Sequence, residues 1–326
     1  MAMIPETKAR LISIGTVQLP KPKSRDPIST SGPGAGEPSI FFQSGDKLVR
    51  LSVVPSSTLR LKQLEDDQVA LCDGEEEIAL GKLVQPLCHC PEQAYITISE
   101  RCIYDCKFCA VPKMMGQPKS REKIQKIVED AAATGQLKAV SLTSGVEISP
   151  EMEVLRAADL VRSLQCFNVP IGVSVCATPD SNRILKEAGA SEVKYNVETV
   201  DPDLFGQVCP GLNLHEIKSA LGKAVKIFGK NHVFTNIIVG LGESDKVLRS
   251  GIDELAEMGV LPVLRAVYPH PLRLGEIEMT RPSAERLLEL AKYTRKALDK
   301  RYLRGDKALT MCYRCTGCDL VPHKDL

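Results

Sequence analysis

Three closely spaced cysteines are the residues of this chain best suited to chemistry. Cys102, Cys106 and Cys109 form a C-x3-C-x2-C triplet directly after the apolar segment Ala94 to Ile98. Three thiolates at this spacing, with no fourth ligand in the run, can hold three irons of a [4Fe–4S] cluster and leave the fourth iron open. A structural zinc site or a few buried thiols is the alternative, although structural zinc is usually closed by four ligands. The triplet therefore favours a cluster with one reactive iron.

Composition and charge narrow the class of protein. The chain has 326 residues, of which 42 are basic and 41 acidic, so its net charge is +1 and gives no general nucleic-acid signal. No run approaches the roughly 18 apolar residues that a membrane span needs, and Met1 to Gln18 lacks the apolar core of a signal peptide. We therefore expect a cytoplasmic protein with neither a membrane nor a nucleic-acid partner. Its 12 cysteines then indicate metal binding rather than disulfides.

Six apolar segments that alternate with amphipathic helices must position the cysteine loop. Their Val- and Ile-rich runs are typical of parallel strands covered on both faces. The predicted strands are Ala94–Ser99, Leu137–Thr143, Ile171–Ala177, Glu192–Val197, Val233–Val239 and Val263–Tyr268. Thr280 and Pro282 are predicted to open a last long helix through Leu298. This pattern predicts an α/β fold, a partial (β/α)6 parallel barrel with its site at the carboxyl ends of the strands.

The triplet, with Phe108 directly before its last cysteine, resembles the radical S-adenosylmethionine (SAM) superfamily, in which the methionine part of SAM chelates the open iron. Segments after three later strands extend the resemblance. Ser144, Gly145 and Glu147 resemble the superfamily's Gly-Gly-Glu segment, which binds the methionine amino group, although Val146 stands at the second glycine. An ordinary βα turn is the alternative for this segment.

The same resemblance implies that two more segments bind SAM. Asn196 and Glu198 lie two residues apart on one strand face and suit the two hydroxyls of a ribose. Gly240 and Gly242 would let an adenine approach the backbone. The alternatives are a helix-capping or salt-bridging role for Glu198 and a simple turn for the Gly-x-Gly segment.

Within the superfamily, residues 94 to 300 look most like lipoyl synthase and its relative biotin synthase. The resemblance rests on the run from Asn196 to Val200, on Val208-Cys209-Pro210-Gly211 and on Val239 to Ser244. The chain lacks the second cysteine triplet ahead of the barrel and the terminal Arg-Ser-Ser-Tyr of common bacterial lipoyl synthases. Its layout is similar to archaeal-type lipoyl synthases, in which two biotin-synthase-like proteins act together.

The resemblance implies sulfur insertion into an unactivated carbon of a protein-bound octanoyl chain. SAM would be cleaved reductively to methionine and a 5′-deoxyadenosyl radical. The implied partners are an octanoylated lipoyl carrier protein, a second radical SAM protein and a low-potential electron donor such as ferredoxin. Two alternatives stay open: another biotin-synthase-like radical SAM enzyme, acting in cofactor maturation or small-molecule sulfur insertion, and a non-enzymatic iron–sulfur scaffold.

A second triplet ends the chain. Cys312, Cys315 and Cys318 form C-x2-C-x2-C, which we interpret as the ligands of an auxiliary [4Fe–4S] cluster facing the barrel mouth. The alternative is a zinc-bound tail closed by a residue from elsewhere: His323, Cys88 or Cys90. Arg265 and Tyr268, at the end of the sixth strand, would orient a substrate, with a surface salt bridge as the alternative for the arginine.

Residues 1–92 do not resemble the barrel. A Pro-, Ser- and Gly-rich stretch from Pro20 to Pro38 is predicted to be a flexible loop. Alternating segments follow, with turns at Gly45-Asp46 and Asp73-Gly74. We expect a small antiparallel β region. The predicted division is a β-rich extension over 1–92, the barrel over 93–304 and a cysteine-bearing tail over 305–326.

Overall fold

Two sheets organise the protein, whose computed structural model describes residues 3–20 and 36–326. Most of the predicted loop from Pro20 to Pro38 lies outside these residues. The strands are β1 Thr16–Val17, β2 Ser39–Ser44, β3 Lys47–Val53, β4 Leu59–Gln63, β5 Gln68–Asp73, β6 Glu76–Val84, β7 His89–Cys90, β8 Gln93–Thr97, β9 Ala139–Thr143, β10 Ile171–Ser174, β11 Glu192–Lys194, β12 Val233–Val239 and β13 Leu261–Ala266. The α-helices are α1 Pro5–Ile14, α2 Arg121–Ala133, α3 Pro150–Leu164, α4 Ser181–Ala188, α5 Pro202–Val208, α6 Leu214–Phe228, α7 Asp245–Glu257, α8 Ala284–Lys300 and α9 Met311–Cys315.

The second sheet is the predicted barrel. Its order is β13-β12-β11-β10-β9-β8-β7, in which β8 to β13 are parallel and the short β7 runs antiparallel to β8. The sheet is curled and partly closed, as the sequence predicts. Strands β8, β10 and β11 are buried along their whole length, since helices cover one face and the barrel interior the other.

Strand β12 has the predicted bounds, but β10 and β11 end earlier than predicted. After Lys194 the regular ladder is interrupted, and Glu198, with φ +57°, pairs with β12 again through an isolated bridge to Ile237. The last long helix also begins later than predicted, at Ala284. Its N-cap is Ser283, whose side chain accepts a hydrogen bond from the Arg286 amide.

The first sheet has the order β1-β3-β2-β6-β5-β4 and is antiparallel except for the β1–β3 pair. This agrees with the predicted antiparallel region, although the sequence reading did not include α1 or β6. The sheet packs against α1 and α8 in a second apolar core that contains Leu11, Leu51 and Leu287. None of the helices within the described ranges has the length and hydropathy of a membrane-spanning segment.

The chain terminus closes the barrel at the end where its strands begin. The Thr310 amide donates to Glu192 (2.8 Å), and the Met311 amide donates to Gln93 (2.6 Å). Both acceptors are the first residues of their strands. The end of the barrel that carries the cysteine loop is the opposite one.

Candidate functional site

The first cysteine triplet borders one large cavity inside the barrel. Cys102, Cys106 and Cys109 line this space of about 580 Å³. Contacts with one neighbouring segment fix the loop. The Ile103 amide donates to the Val146 carbonyl (2.7 Å), and the Val146 amide approaches the Cys102 sulfur (3.5 Å). The loop is therefore held against the chain that follows β9.

A buried arginine that the sequence reading missed also holds this loop. The Arg273 side chain is fully buried, and its Nε donates to the Cys109 carbonyl (2.6 Å). Its Nη1 lies 2.7 Å from Asp105 and 2.8 Å from Glu276. Arg273 lies 164 positions from Cys109, and only its place just after the sixth strand could have drawn attention to it. It is a positioning residue for the cysteine loop.

The thiols of the triplet fit a cluster site. Burial raises the pKa of Cys109 to about 12 and raises the pKa of Cys102, so both thiols stay protonated at neutral pH until a metal displaces the protons. Among residues 3–20 and 36–326, no three Cys, His, Asp or Glu side chains converge as they would around a single metal ion. The thiolates of a [4Fe–4S] cluster stand farther apart than those around one ion. The buried Asn236 Oδ1, in the same cavity, has no protein partner.

Two other cysteines lie beside the triplet. The neighbouring Cys106, together with burial, raises the pKa of Cys209. Cys176 lines the cavity, and burial raises its pKa to about 12. From the sequence both are interpreted as packed small hydrophobic residues, with Cys209 near the presumed active face.

Five of the predicted SAM-binding residues line the same cavity as the triplet: Phe108, Ser144, Gly145, Asn196 and Glu198. At Gly145 a Cβ would come within 2.2 Å of the Arg101 carbonyl, so a glycine is required there for the cysteine loop to approach. Ser144 Oγ donates to Glu153 (2.7 Å) and accepts from the Ser99 amide (3.1 Å). These contacts brace the turn after β9.

The predicted Glu147 does not line the cavity. Its carboxylate pairs with Arg156 at 2.9 Å. The buried Glu153 lies beneath the turn, where it accepts from the Glu147 amide as well as from Ser144. Val146, at the place of the second glycine, is buried.

Among the carboxyl groups that line the cavity, Glu198 has the pKa that is shifted most. Burial raises its pKa to about 7, against the opposing effects of Lys194, a hydrogen bond with Asn196 and the charge of Arg265. Its φ of +57° is unusual for a residue with a Cβ. A carboxyl group held in this conformation beside an amide suits paired hydroxyls.

The structure does not bring Gly240 and Gly242 to the cavity. They line a separate pocket of about 280 Å³. A Cβ on Gly240 would lie 2.1 Å from the Thr280 carbonyl, which accounts for the glycine by close chain approach. The Glu243 carboxylate accepts from the Gly240 and Leu241 amides at 2.8 Å each, as in a tight turn.

The terminal triplet reaches the same cavity from the opposite end of the barrel. Cys318 lines the cavity, whereas Cys312 is buried behind it. The Cys312 sulfur accepts from Arg265 Nη2 (2.9 Å) and from Lys194 Nζ (3.5 Å). Arg265 Nε also lies 3.1 Å from Asp319, so this arginine points into the barrel and forms no surface salt bridge. The tail therefore faces the floor of the cavity.

Charges at this floor act on one another. Burial would lower the pKa of Lys194, but the nearby Cys312 and Tyr95 outweigh it and the pKa is raised. A hydrogen bond from Cys90 lowers the pKa of Cys315, although burial opposes this effect. Burial raises the pKa of Cys318, so the two thiols differ in their tendency to ionise.

Comparison with known proteins gives one family and several distant relatives. Residues 96–255 match the family described as the Radical SAM superfamily. A lipoyl synthase from Mycolicibacterium gilvum is 24% identical over 55% of this chain and 58% of its own length. A lipoyl synthase from Caldanaerobacter subterraneus is 26% identical over 64% of this chain and 70% of its own length. A GTP 3′,8-cyclase from Pelotomaculum thermopropionicum is 25% identical over 56% of this chain and 55% of that protein.

The fold has a counterpart among solved structures. The crystal structure of methylornithine synthase superposes with a TM-score of 0.54 at 17% identity, over 64% of this chain and 62% of that one. This likeness concerns the fold alone. The chain spans just under three fifths of the length of the first lipoyl synthase named above.

Proposed function

Because residues 96–255 form a radical SAM domain, we propose that the protein inserts sulfur into an unactivated carbon of an octanoyl chain attached to a carrier protein. One observation carries this proposal: a single cavity is bordered by the first cysteine triplet at one end and by Cys318 of the terminal triplet at the other. A substrate carbon between them would face a radical source and a sulfur source at once. The lipoyl synthase relatives support the choice of substrate.

When bound, SAM and the two clusters would supply a 5′-deoxyadenosyl radical and a sulfur atom. The chain's own residues hold and orient these groups. Cys102, Cys106 and Cys109 would bind three irons, and the open iron would face the cavity. Asn196 and Glu198 would accept hydrogen bonds from the ribose hydroxyls. Hydrogen-atom abstraction needs no general base, so the cavity requires no His/Asp pair.

The walls of the cavity suit an acyl chain. Val175, Leu212, Ile217 and Ile238 place apolar side chains along it. Burying each methylene of an acyl chain against such a wall stabilises the complex by about 0.8 kcal/mol. A wall of this kind also keeps water away from a carbon radical.

Anaerobic reconstitution tests the proposal. The wild-type protein, incubated with SAM, dithionite and an octanoyl-lysine peptide, should form methionine, 5′-deoxyadenosine and a thiolated peptide. Changing Cys102, Cys106 and Cys109 together to Ala should abolish the formation of 5′-deoxyadenosine. Changing Cys312, Cys315 and Cys318 together to Ala should preserve 5′-deoxyadenosine and abolish the thiolated product, because the radical and the sulfur come from different ends of the cavity.

Mass spectrometry of 5′-deoxyadenosine and of the peptide distinguishes the alternative functions. SAM cleavage retained in the first variant refutes the assignment of the radical site. Thiolation retained in the second refutes the sulfur source. SAM cleavage without any thiolated peptide in the wild type would favour another radical SAM reaction, and no SAM cleavage at all would favour an iron–sulfur scaffold.

A further inference from the structure

Cys90 lies where the terminal triplet meets the barrel. It is the last residue of β7 and is fully buried. Its thiol donates to the Gln93 carbonyl at 3.6 Å, and Gln93 Nε2 donates back to the Cys90 sulfur at 3.1 Å. The same Gln93 side chain holds the tail, because its Oε1 accepts from the Met311 amide (2.6 Å) and its Nε2 approaches the Met311 carbonyl (3.3 Å). Gln93 thus links Cys90 to the residue before Cys312, and burial together with the nearby Cys315 raises the pKa of Cys90.

Cationic groups surround these sulfurs. Arg265 and Lys194 both donate to Cys312. Arg50 lines the cavity together with Cys318, and its buried Nη2 has no protein partner. The Arg50 amide also donates to the Gly317 carbonyl (2.7 Å), which fixes the turn between Cys315 and Cys318. A buried cluster of thiolates bound to iron is anionic, and these cations complement it.

The other candidate ligands are engaged elsewhere. His323 accepts from the Gly305 amide at 3.2 Å through Nδ1, and its Nε2 lies 2.9 Å from Asp299. The Cys88 thiol donates to the Tyr95 carbonyl at 3.6 Å, and the charged group that acts on it is Lys119 rather than a residue of the tail. Within the described residues, none of these hydrogen bonds involves the terminal triplet.

We infer that Cys90 joins Cys312, Cys315 and Cys318 in a centre of four thiolates. Where the metal is a [4Fe–4S] cluster, this inference rests on the proposed function and deepens it. Every iron of the terminal cluster then has a cysteine ligand, so the first triplet alone offers an open iron to SAM. The chain would therefore bind one SAM molecule even with both clusters present.

The test uses a full-length background variant in which Cys102, Cys106 and Cys109 are changed to Ala, so that only the terminal centre remains. Cys90→Ala, Cys90→Ser and the matched control Cys88→Ala are added separately. Iron, sulfide and zinc are counted after anaerobic reconstitution, and electron paramagnetic resonance spectra are recorded after mild oxidation. The background and the Cys88→Ala protein should hold about four irons. Cys90→Ala should leave one iron without a cysteine ligand, as at the first triplet, so mild oxidation should release that iron and give the spectrum of a [3Fe–4S] form.

A spectrum of Cys90→Ala that matches that of the background protein after the same oxidation would overturn the inference. Cys90→Ser guards against misfolding, because it keeps a small polar side chain beside Gln93. One zinc in the background, lost in both Cys90 variants, would support four-thiolate ligation but refute the proposed sulfur source. Neither iron nor zinc in the background would overturn the inference, while 5′-deoxyadenosine formation by the wild type would still support the radical site.

Discussion

Glu198 combines a left-handed backbone conformation, burial and a carboxyl group beside the cysteine loop. Burial raises its pKa to about 7, so the carboxyl is largely protonated below that pH. A carboxylate accepts hydrogen bonds from ribose hydroxyls better than the protonated acid does. Glu198→Gln should therefore weaken SAM binding about tenfold to a hundredfold at pH 8, since one charge-assisted hydrogen bond contributes about 1.5–3 kcal/mol. Equilibrium dialysis on the iron-loaded protein measures this effect.

The pH profile gives the sharper check. Wild-type affinity for SAM should rise as pH increases through about 7, whereas the profile of Glu198→Gln should be flat. Glu151→Gln, at an exposed position of the same cavity, should behave like the wild type. The free energy of unfolding should fall from pH 4.5 to about 7, because the folded protein keeps a proton that the unfolded chain releases. Parallel profiles for wild type and Glu198→Gln would return Glu198 to a structural role.

Spacing predicted the first cysteine triplet, yet it could not distinguish Cys88 from Cys90. Alternation along a strand would put residues two apart on one face. His89 between them has φ +70°, which breaks that alternation and sends the two thiols to different surroundings. A similar limit applies to Glu147, whose carboxylate pairs with Arg156 and does not line the cavity. Local backbone conformation of this kind is set by tertiary contacts.

The terminal tail is the element that most changes the sequence-based interpretation. The sequence predicted its cysteines but placed them at the barrel mouth, whereas the tail closes the end where the strands begin. Strands β8 to β13 were predictable from their Val- and Ile-rich runs, because parallel strands need apolar residues on both faces. The docking of the tail depends on contacts between residues more than 100 positions apart, and no local pattern encodes them.

Gly172 tests the docking of the tail. A Cβ at this position of β10 would lie 2.1 Å from Thr310 Oγ1 and 3.0 Å from Met311 Cε. Gly172→Ala should therefore cost about 1–3 kcal/mol in the free energy of unfolding and loosen the tail. The control Gly222→Ala, within α6 and in ordinary contact with Met258, should be neutral or stabilise by up to about 1 kcal/mol. Denaturant unfolding and limited proteolysis at the tail measure both effects, and equal stability of the two variants would contradict this account.

At the scale of the whole molecule, the first sheet and the tail form one support for the floor of the cavity. Lys8 of α1 is fully buried, and its Nζ donates to Asp325 and to the Thr316 carbonyl, each at 2.7 Å. Asp325 also accepts from the Val321 amide. One ion pair thus joins the first helix of the chain to its last residues. Thr316 directly follows Cys315, so this pair also fixes the terminal triplet.

Breaking this pair should affect one end of the cavity more than the other. Lys8→Met leaves Asp325 buried without its cation, which should cost about 3–5 kcal/mol in the free energy of unfolding. Adding Asp325→Leu should recover part of that loss, since no unpaired charge remains. Lys126→Met, which removes an exposed pair with Asp130, should change nothing measurable. Iron analysis of Lys8→Met should show a loss of the terminal centre while 5′-deoxyadenosine formation persists. Equal losses at both centres would mean that the pair stabilises the whole fold rather than the floor.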